Sequence, residues 1–125
     1  MNQKNKKQFG VWMDTHHATV IGRANADSEG FTVLGHADNA GAEHNTSEKN
    51  EQHDEKTLQH KFFKEILSHM QNAEEVHVTG TGTSQEQLVH YMAATPQFKN
   101  TATQLSTSNK MSDENLAAFI DAKFQ

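Results

Sequence analysis

The sequence contains no cysteine and a single proline among its 125 residues, and hydrophobic residues make up only 34% of it. Without cysteine the chain has neither a disulfide framework nor a thiolate site, which fits a reducing compartment. No stretch approaches the roughly 18 consecutive apolar residues that a membrane-spanning helix needs. The N-terminus carries three lysines, but no apolar segment follows them, so we expect no secretory signal peptide. We therefore expect a cytoplasmic protein with no membrane partner.

Positive charge is also scarce. The net charge is −5, and residues 36–56 account for −4 of it, because six acidic residues stand there against two lysines. The rest of the chain is close to neutral and offers no broad basic face. Because affinity for a phosphate backbone comes mainly from clustered lysine and arginine, we expect no DNA binding.

Two segments lack the residues of a hydrophobic core. Residues 1–7 are polar and basic, and residues 37–55 contain no Val, Leu, Ile, Phe, Trp or Tyr. A segment that cannot bury apolar surface stays solvated, so we predict a flexible basic tail over 1–7 and a mobile acidic loop over about 37–55. The remaining chain within 8–125 is long enough for a single domain. The tail is either solvated or a salt-sensitive contact with an RNA backbone.

Three short apolar segments near the N-terminus predict a meander of β-strands. Residues 9–13, 18–22 and 31–35 are rich in Val, Ile, Phe and Trp, and turn-forming residues separate them. The gap between the first two is only a few residues long and begins at Asp14. Such a short connection predicts an antiparallel hairpin.

Helical periodicity begins after the acidic loop. Leu58, Phe62, Ile66 and Met70 recur at four-residue steps. This spacing places them on one face of a helix, which we expect to end near Asn72.

The rest of the chain alternates between strand and helix. Residues 76–79 predict a buried strand, and a second helix follows a glycine turn and ends before Pro96. The buried side of this helix is expected to comprise Leu88, Val89, Tyr91 and Met92. Residues 101–107 predict a last strand, and Ser112 is the expected N-cap of a final helix.

The predicted order βββ-α-β-α-β-α indicates an α/β fold in three layers. Three meandering strands followed by two helix-linked strands favour a mixed sheet of about five strands, with right-handed crossovers and helices on both faces. This order is that of the ribonuclease H-like architecture.

Three motifs give the chain a family resemblance. Residues 10–14 (Gly-Val-Trp-Met-Asp) with residues 18–21 are similar to an opening hairpin, and residues 76–82 (Val-His-Val-Thr-Gly-Thr-Gly) to a strand and Gly-x-Gly turn. Residues 109–113 (Asn-Lys-Met-Ser-Asp) and the helix after them are similar to the closing segment of bacterial members. Together the motifs resemble bacterial relatives of the central domain of the archaeo-eukaryotic release factor and Pelota superfamily.

The resemblance implies association with the ribosome. Release factors of that superfamily trigger peptide release through a Gly-Gly-Gln tripeptide on a loop of this domain, and the present sequence contains no such tripeptide. What the resemblance leaves is a non-catalytic, translation- or ribosome-associated binding domain with no cofactor. Its expected partner is the ribosome or ribosomal RNA.

The segment after the fourth predicted strand is the first candidate site. It comprises Gly80, Thr81, Gly82, Thr83 and Ser84. Free N–H groups and the dipole at a helix N-terminus favour phosphate or carboxylate, so the segment is either an anion or RNA contact or a purely structural turn. It lacks the lysine of a P-loop, and Gln85 stands where the dinucleotide fingerprint needs a third glycine. We also expect a capping box, in Thr83 with Glu86 or in Ser84 with Gln87.

Asp14, His16 and His17 form the second candidate, a metal site at the end of the first strand. Nucleases and ATPases of ribonuclease H-like architecture place a metal-binding aspartate there, which gives an alternative function as a divergent metal-dependent phosphohydrolase. Two-metal chemistry needs several converging carboxylates. The competing interpretation is that Asp14 caps the hairpin turn.

A third interpretation is a stress-related or interaction protein that self-associates through a sheet edge or a helix face. The sequence leaves the oligomeric state open.

Overall fold

The computed structural model describes residues 7–23, 30–39 and 55–124. These ranges contain five strands and three α-helices in the predicted order. They are β1 (Gln8–Met13), β2 (His17–Arg23), β3 (Thr32–Asp38), α1 (Glu55–Ser68), β4 (Glu75–Gly80), α2 (Ser84–Ala93), β5 (Ala102–Thr107) and α3 (Asp113–Lys123). A short 3-10 helix, Pro96–Phe98, follows α2 and begins at the proline that was predicted to end it.

The five strands form one mixed sheet in the order β3-β2-β1-β4-β5. β2 pairs antiparallel with both β1 and β3, so the N-terminal meander is confirmed. β4 pairs parallel with β1, and β5 parallel with β4, as expected for strands linked by helical crossovers. The predicted α/β fold with a mixed five-stranded sheet is confirmed.

Two boundaries differ from the sequence prediction. The acidic loop was predicted to begin at residue 37, whereas β3 continues to Asp38 and Ala37 is only 2% exposed. Ala37 pairs with Ala18 of β2, and its small side chain enters the core without the bulky residues that the prediction relied on. α1 ends at Ser68 rather than near Asn72, which instead has a φ of 59° in the turn before β4. Residues 40–54 of the predicted loop and residues 1–6 of the predicted tail lie outside the described ranges.

α1 and α2 cover one face of the sheet and form the larger core. Phe62 and Ile66 of the predicted stripe are at most 2% exposed, Leu58 is only partly buried, and Met70 is fully buried just beyond the end of α1. Leu88 and Met92 of α2 join the same cluster and are fully buried. Burial of these faces is the main source of helix stability, because helices of this length are marginal on their own.

α3 covers the opposite face. Leu116 and Ile120 are at most 1% exposed and pack with Trp12 and Ile21 in a smaller cluster. Ser112 is the predicted N-cap, and its hydroxyl accepts a hydrogen bond from the backbone N–H of Asn115. Helices therefore lie on both faces, as the sequence predicted.

None of the helices in the described part of the chain is both long and apolar enough to cross a membrane.

Candidate functional site

Both predicted sites lie at one edge of the sheet. The parallel strands β1, β4 and β5 end there together, because Met13 pairs with Gly80 and Gly80 pairs with Thr107. The hydroxyls of Thr15, in the β1–β2 turn, and Ser84, at the start of α2, are 3.5 Å apart. In open α/β sheets, ligands bind outside the carboxyl ends of the strands. The topology thus brings the glycine turn and the Asp14 turn to the same edge.

Glycine is needed at two positions of the β4–α2 turn. A Cβ on Gly80 would overlap the main-chain oxygen of Met13, so β1 and β4 approach too closely there for any side chain. Gly82 has a φ of 75°, a left-handed conformation that glycine adopts without strain. These constraints are structural and hold the turn in one shape.

The turn presents several backbone N–H groups at the N-terminus of α2. Thr83 is the N-cap residue, but its side chain makes no capping hydrogen bond, so the expected capping box is not formed. Its carbonyl accepts from the N–H groups of Glu86 and Gln87. The N–H groups of residues 81–85 donate no hydrogen bond to another residue of the described ranges. Free N–H groups at this end of a helix favour an anion.

The buried side chain of Gln85 links the β4–α2 turn to β5 through hydrogen bonds. Its side chain is 2% exposed, and its Nε2 donates to the carbonyls of Gly80 (3.1 Å) and Ser106 (3.3 Å). The Oε1 of the same amide is buried and has no hydrogen-bond partner within the described residues. Sequence reasoning considered Gln85 only as the position that lacks a glycine. Its carbonyl partners lie on separate strands, so periodicity gave no signal for this contact.

Asp14 has the role of a turn cap. Its Oδ1 accepts from the backbone N–H groups of His16 (2.8 Å) and His17 (2.7 Å). His17 contacts Asp38 of β3 instead, with 2.9 Å between Nδ1 and Oδ1. Where the structure describes the chain, no three His, Asp, Glu or Cys side chains are gathered in a geometry that could hold a metal ion.

A polar network that the sequence did not reveal lies between β4 and β5. The ring of His77, which is 3% exposed, lies 3.1 Å from Gln104 Oε1 through Nδ1 and 2.8 Å from Ser106 Oγ through Nε2. Ser106 continues to Thr79 Oγ1 (2.9 Å), and Thr79 to Ser108 Oγ (2.9 Å). Because an amide oxygen only accepts, Nδ1 donates to Gln104, while the Ser106 hydroxyl donates to Thr79.

Burial lowers the pKa of His77 below its ordinary value. The hydrogen bond with Gln104 opposes this effect, and the positive charge of Lys123 on α3 adds to it. The neutral ring is therefore the form that the network holds. A hydroxyl, an imidazole and an amide in this order also resemble a nucleophile, its base and an orienting group. Ser106 lies within a strand and is bonded on both sides, so we assign these contacts to joining β5 to the sheet.

Comparison with known proteins shows similarity at the level of fold. The sequence matches no protein-family model, and no curated protein is significantly similar to it. The Pelota protein of Thermoplasma acidophilum superposes with a TM-score of 0.60 at 13% identity, over 95% of this chain and 32% of that protein. The archaeal translation termination factor aRF1 gives 0.60 at 16% identity, over 95% and 35%. A further archaeal protein gives 0.57 at 14% identity, over 97% and 38%.

This chain spans about a third of the length of the structures it matches. At these identities the similarity concerns the fold, and the chain has the fold of a Pelota- and aRF1-like domain.

Proposed function

We propose that this chain is a non-catalytic, translation-related binding domain that associates with the ribosome or its RNA. The observation that carries the proposal is the match of 95% of the chain to about a third of a Pelota protein and about a third of a translation termination factor. The absence of Gly-Gly-Gln from the 125 residues supports the non-catalytic part. We also propose that the chain is related to bacterial members of the release factor and Pelota superfamily, because residues 109–113 and the helix after them are similar to the closing segment of those members.

The glycine turn at the start of α2 is the proposed contact with an RNA phosphate. Its N–H groups, from residues 81–85, are free of protein partners in the described ranges, and Gly82 and Thr83 are exposed. The net charge of −5 provides no long-range attraction to RNA. The contact must therefore be short-ranged, made by hydrogen bonds and the helix dipole rather than by a basic surface.

Co-sedimentation tests the ribosome association. Tagged protein is layered with ribosomes and separated subunits over a series of salt concentrations. We expect it to travel with a ribosomal fraction at low salt and to be released as salt rises, because salt screens the attraction between a helix N-terminus and phosphate. Absence from every ribosomal fraction at low salt would contradict the proposal.

Thr83→Asp tests the turn separately. An aspartate suits the N-cap position and the helix dipole, so the fold should be retained, whereas its charge repels phosphate. Thr103→Asp is the matched control, because Thr103 is exposed near the opposite end of β5. We expect the first variant to co-sediment less than the second at equal salt. Equal co-sedimentation of both would exclude the turn as the contact while leaving the association itself intact.

The phosphohydrolase alternative has less support. Asp14 Oδ1 accepts from two backbone N–H groups, and among the described residues Asp14 belongs to no group of three His, Asp, Glu or Cys side chains that could hold a metal ion. Activity that depends on magnesium or manganese and is lost in Asp14→Asn would favour that alternative over ours.

A further inference from the structure

A groove between α1 and α2 lies outside the sites considered so far. It is an open groove with a volume of about 360 Å³, at the lower end of the range of small-ligand pockets. α1 and α2 line it with three aromatic or imidazole rings beside two amides, a carboxylate and a further histidine. The lining residues are Gln59, His60, Phe63, Glu86, Gln87, His90 and Tyr91.

The apolar part of the groove is a cluster of three rings. Tyr91 contacts two rings of α1, with its centroid 5.4 Å from that of Phe63 and 5.4 Å from that of His60, at interplanar angles of 54° and 38°. Phe63 is 3% exposed and belongs to the core, so it anchors the set, whereas Tyr91 is half-buried and His60 is exposed. The sequence predicted that Tyr91 is part of the buried side of α2. The structure instead leaves part of its ring facing the groove.

The polar part of the groove is a pair of amides. Gln59 Nε2 donates to Gln87 Oε1 at 2.9 Å, which fixes both side chains. The bond leaves an acceptor, Gln59 Oε1, and a donor, Gln87 Nε2, on adjacent side chains of two different helices. A donor beside an acceptor matches the edge of a base, as when a glutamine pairs with N6 and N7 of adenine.

We propose that this groove binds a nucleobase of single-stranded RNA, which stacks on the exposed ring of His60, contacts Tyr91 beside it and hydrogen-bonds to Gln59 and Gln87. Stacking on aromatic rings combined with bonds to exposed base edges is the usual way proteins bind unpaired RNA. Rings beside hydrogen-bonding amides favour a planar ligand with polar edges, and a peptide segment is the competing occupant that the test below includes. The inference rests on the proposed association with RNA and names where a base would bind.

The single tyrosine of the chain makes the test direct. Protein labelled with 3-fluorotyrosine gives one fluorine NMR signal, which reports on the groove alone. It is titrated with AMP, CMP, GMP and UMP, with ribose 5-phosphate as the ligand without a base, and with a short peptide rich in backbone amides. We expect a saturable shift with nucleotides, largest for AMP, and none with ribose 5-phosphate or the peptide.

Gln87→Leu removes the free donor from an exposed position without disturbing the core, and we expect it to weaken AMP binding several-fold. Gln97→Leu makes the same exchange at an exposed position outside the groove and should leave the titration unchanged. A shift of equal size with ribose 5-phosphate or the peptide, no shift with any nucleotide, or equal losses in the two variants would overturn the proposal. Because the titration contains no ribosome, its failure is distinct from failure to co-sediment.

Discussion

The two faces of the sheet are stabilised in different ways. Under α1 and α2 the sheet contributes apolar side chains from four strands, such as Val11, Val20 and Val78, none of which is exposed. Under α3 the strands contribute only Trp12 of β1 and Ile21 of β2 to the apolar cluster, together with Phe31 before β3. The β4–β5 part of that face carries His77 and Thr79 instead, joined to polar side chains of β5.

This difference shows how the edge strand β5 is held in place. Its side chains are mostly exposed, and Leu105 remains 44% exposed even on the side of α2. Apolar burial alone gives such a strand little stability, so its ladder with β4 is supplemented by side-chain hydrogen bonds. The stability of the face under α1 and α2 therefore depends on packing. The stability of the face under α3 depends in addition on the neutral form of His77.

Truncation of one isoleucine on each face should produce the largest effects. Ile66 and Ile120 are both fully buried, the first in α1 and the second in α3. We expect Ile66→Ala to lower the free energy of unfolding by about 2–5 kcal/mol and Ile120→Ala by an amount near the lower limit. Phe119 and Phe124 beside Ile120 are only partly buried and can move into the vacated space. Urea unfolding followed by circular dichroism measures both, and an equal or larger loss for Ile120→Ala would contradict the comparison.

A smaller effect is expected where the α3 face is tightest. A Cβ built on Gly10 lies 2.6–2.8 Å from three side-chain carbons of Ile120. Gly10→Ala should therefore cost about 1–3 kcal/mol from overpacking. In the Ile120→Ala background this cost should largely disappear, because the clashing atoms are gone, whereas in the Ile66→Ala background it should persist. The same cost in both backgrounds would show that the strain does not come from the contact with α3.

The order of elements was predictable because its signals are local. The four-residue repeat of α1, the apolar strands and the cap at Ser112 each depend on residues that are close in sequence. The end of β3 was missed because Ala37 is buried through its pairing with Ala18, not through its own hydrophobicity.

The features of the site that were missed are all non-local. His77 is one of nine histidines in the sequence, and its local pattern indicates a buried strand but not its hydrogen-bond partners. Its partners lie 27 and 29 residues further along and reach it only through the register of β4 with β5. The carbonyls that bind Gln85 and the rings that contact Tyr91 likewise come from different elements. The periodicity of a sequence identifies a single helix or strand, but it does not show which residues of two elements lie side by side.

The hydrogen-bond network of His77 should also make the free energy of unfolding depend on pH, and this is the smallest effect that we expect. The folded-state pKa of His77 is lowered from its ordinary value of 6.5, chiefly by burial. As pH falls below that value, the unfolded chain binds a proton that the folded chain does not, so stability decreases until the folded-state pKa is passed. Above this window His77 contributes no pH dependence, and the network is fully formed.

His77→Gln removes the titrating group but keeps a side chain that can hydrogen-bond. At about pH 8 we expect it to be less stable than the wild type by about 1 kcal/mol, since at least one hydrogen bond of the network is lost. At about pH 5.5 the difference in free energy of unfolding between the two proteins should be smaller, because only the wild type loses stability through residue 77 as the pH falls. His90→Gln, at an exposed position of α2, is the matched control for removing a histidine. If the gap between His77→Gln and the wild type stays constant across this range, the network does not depend on the neutral ring, and the two faces do not differ in the way we describe.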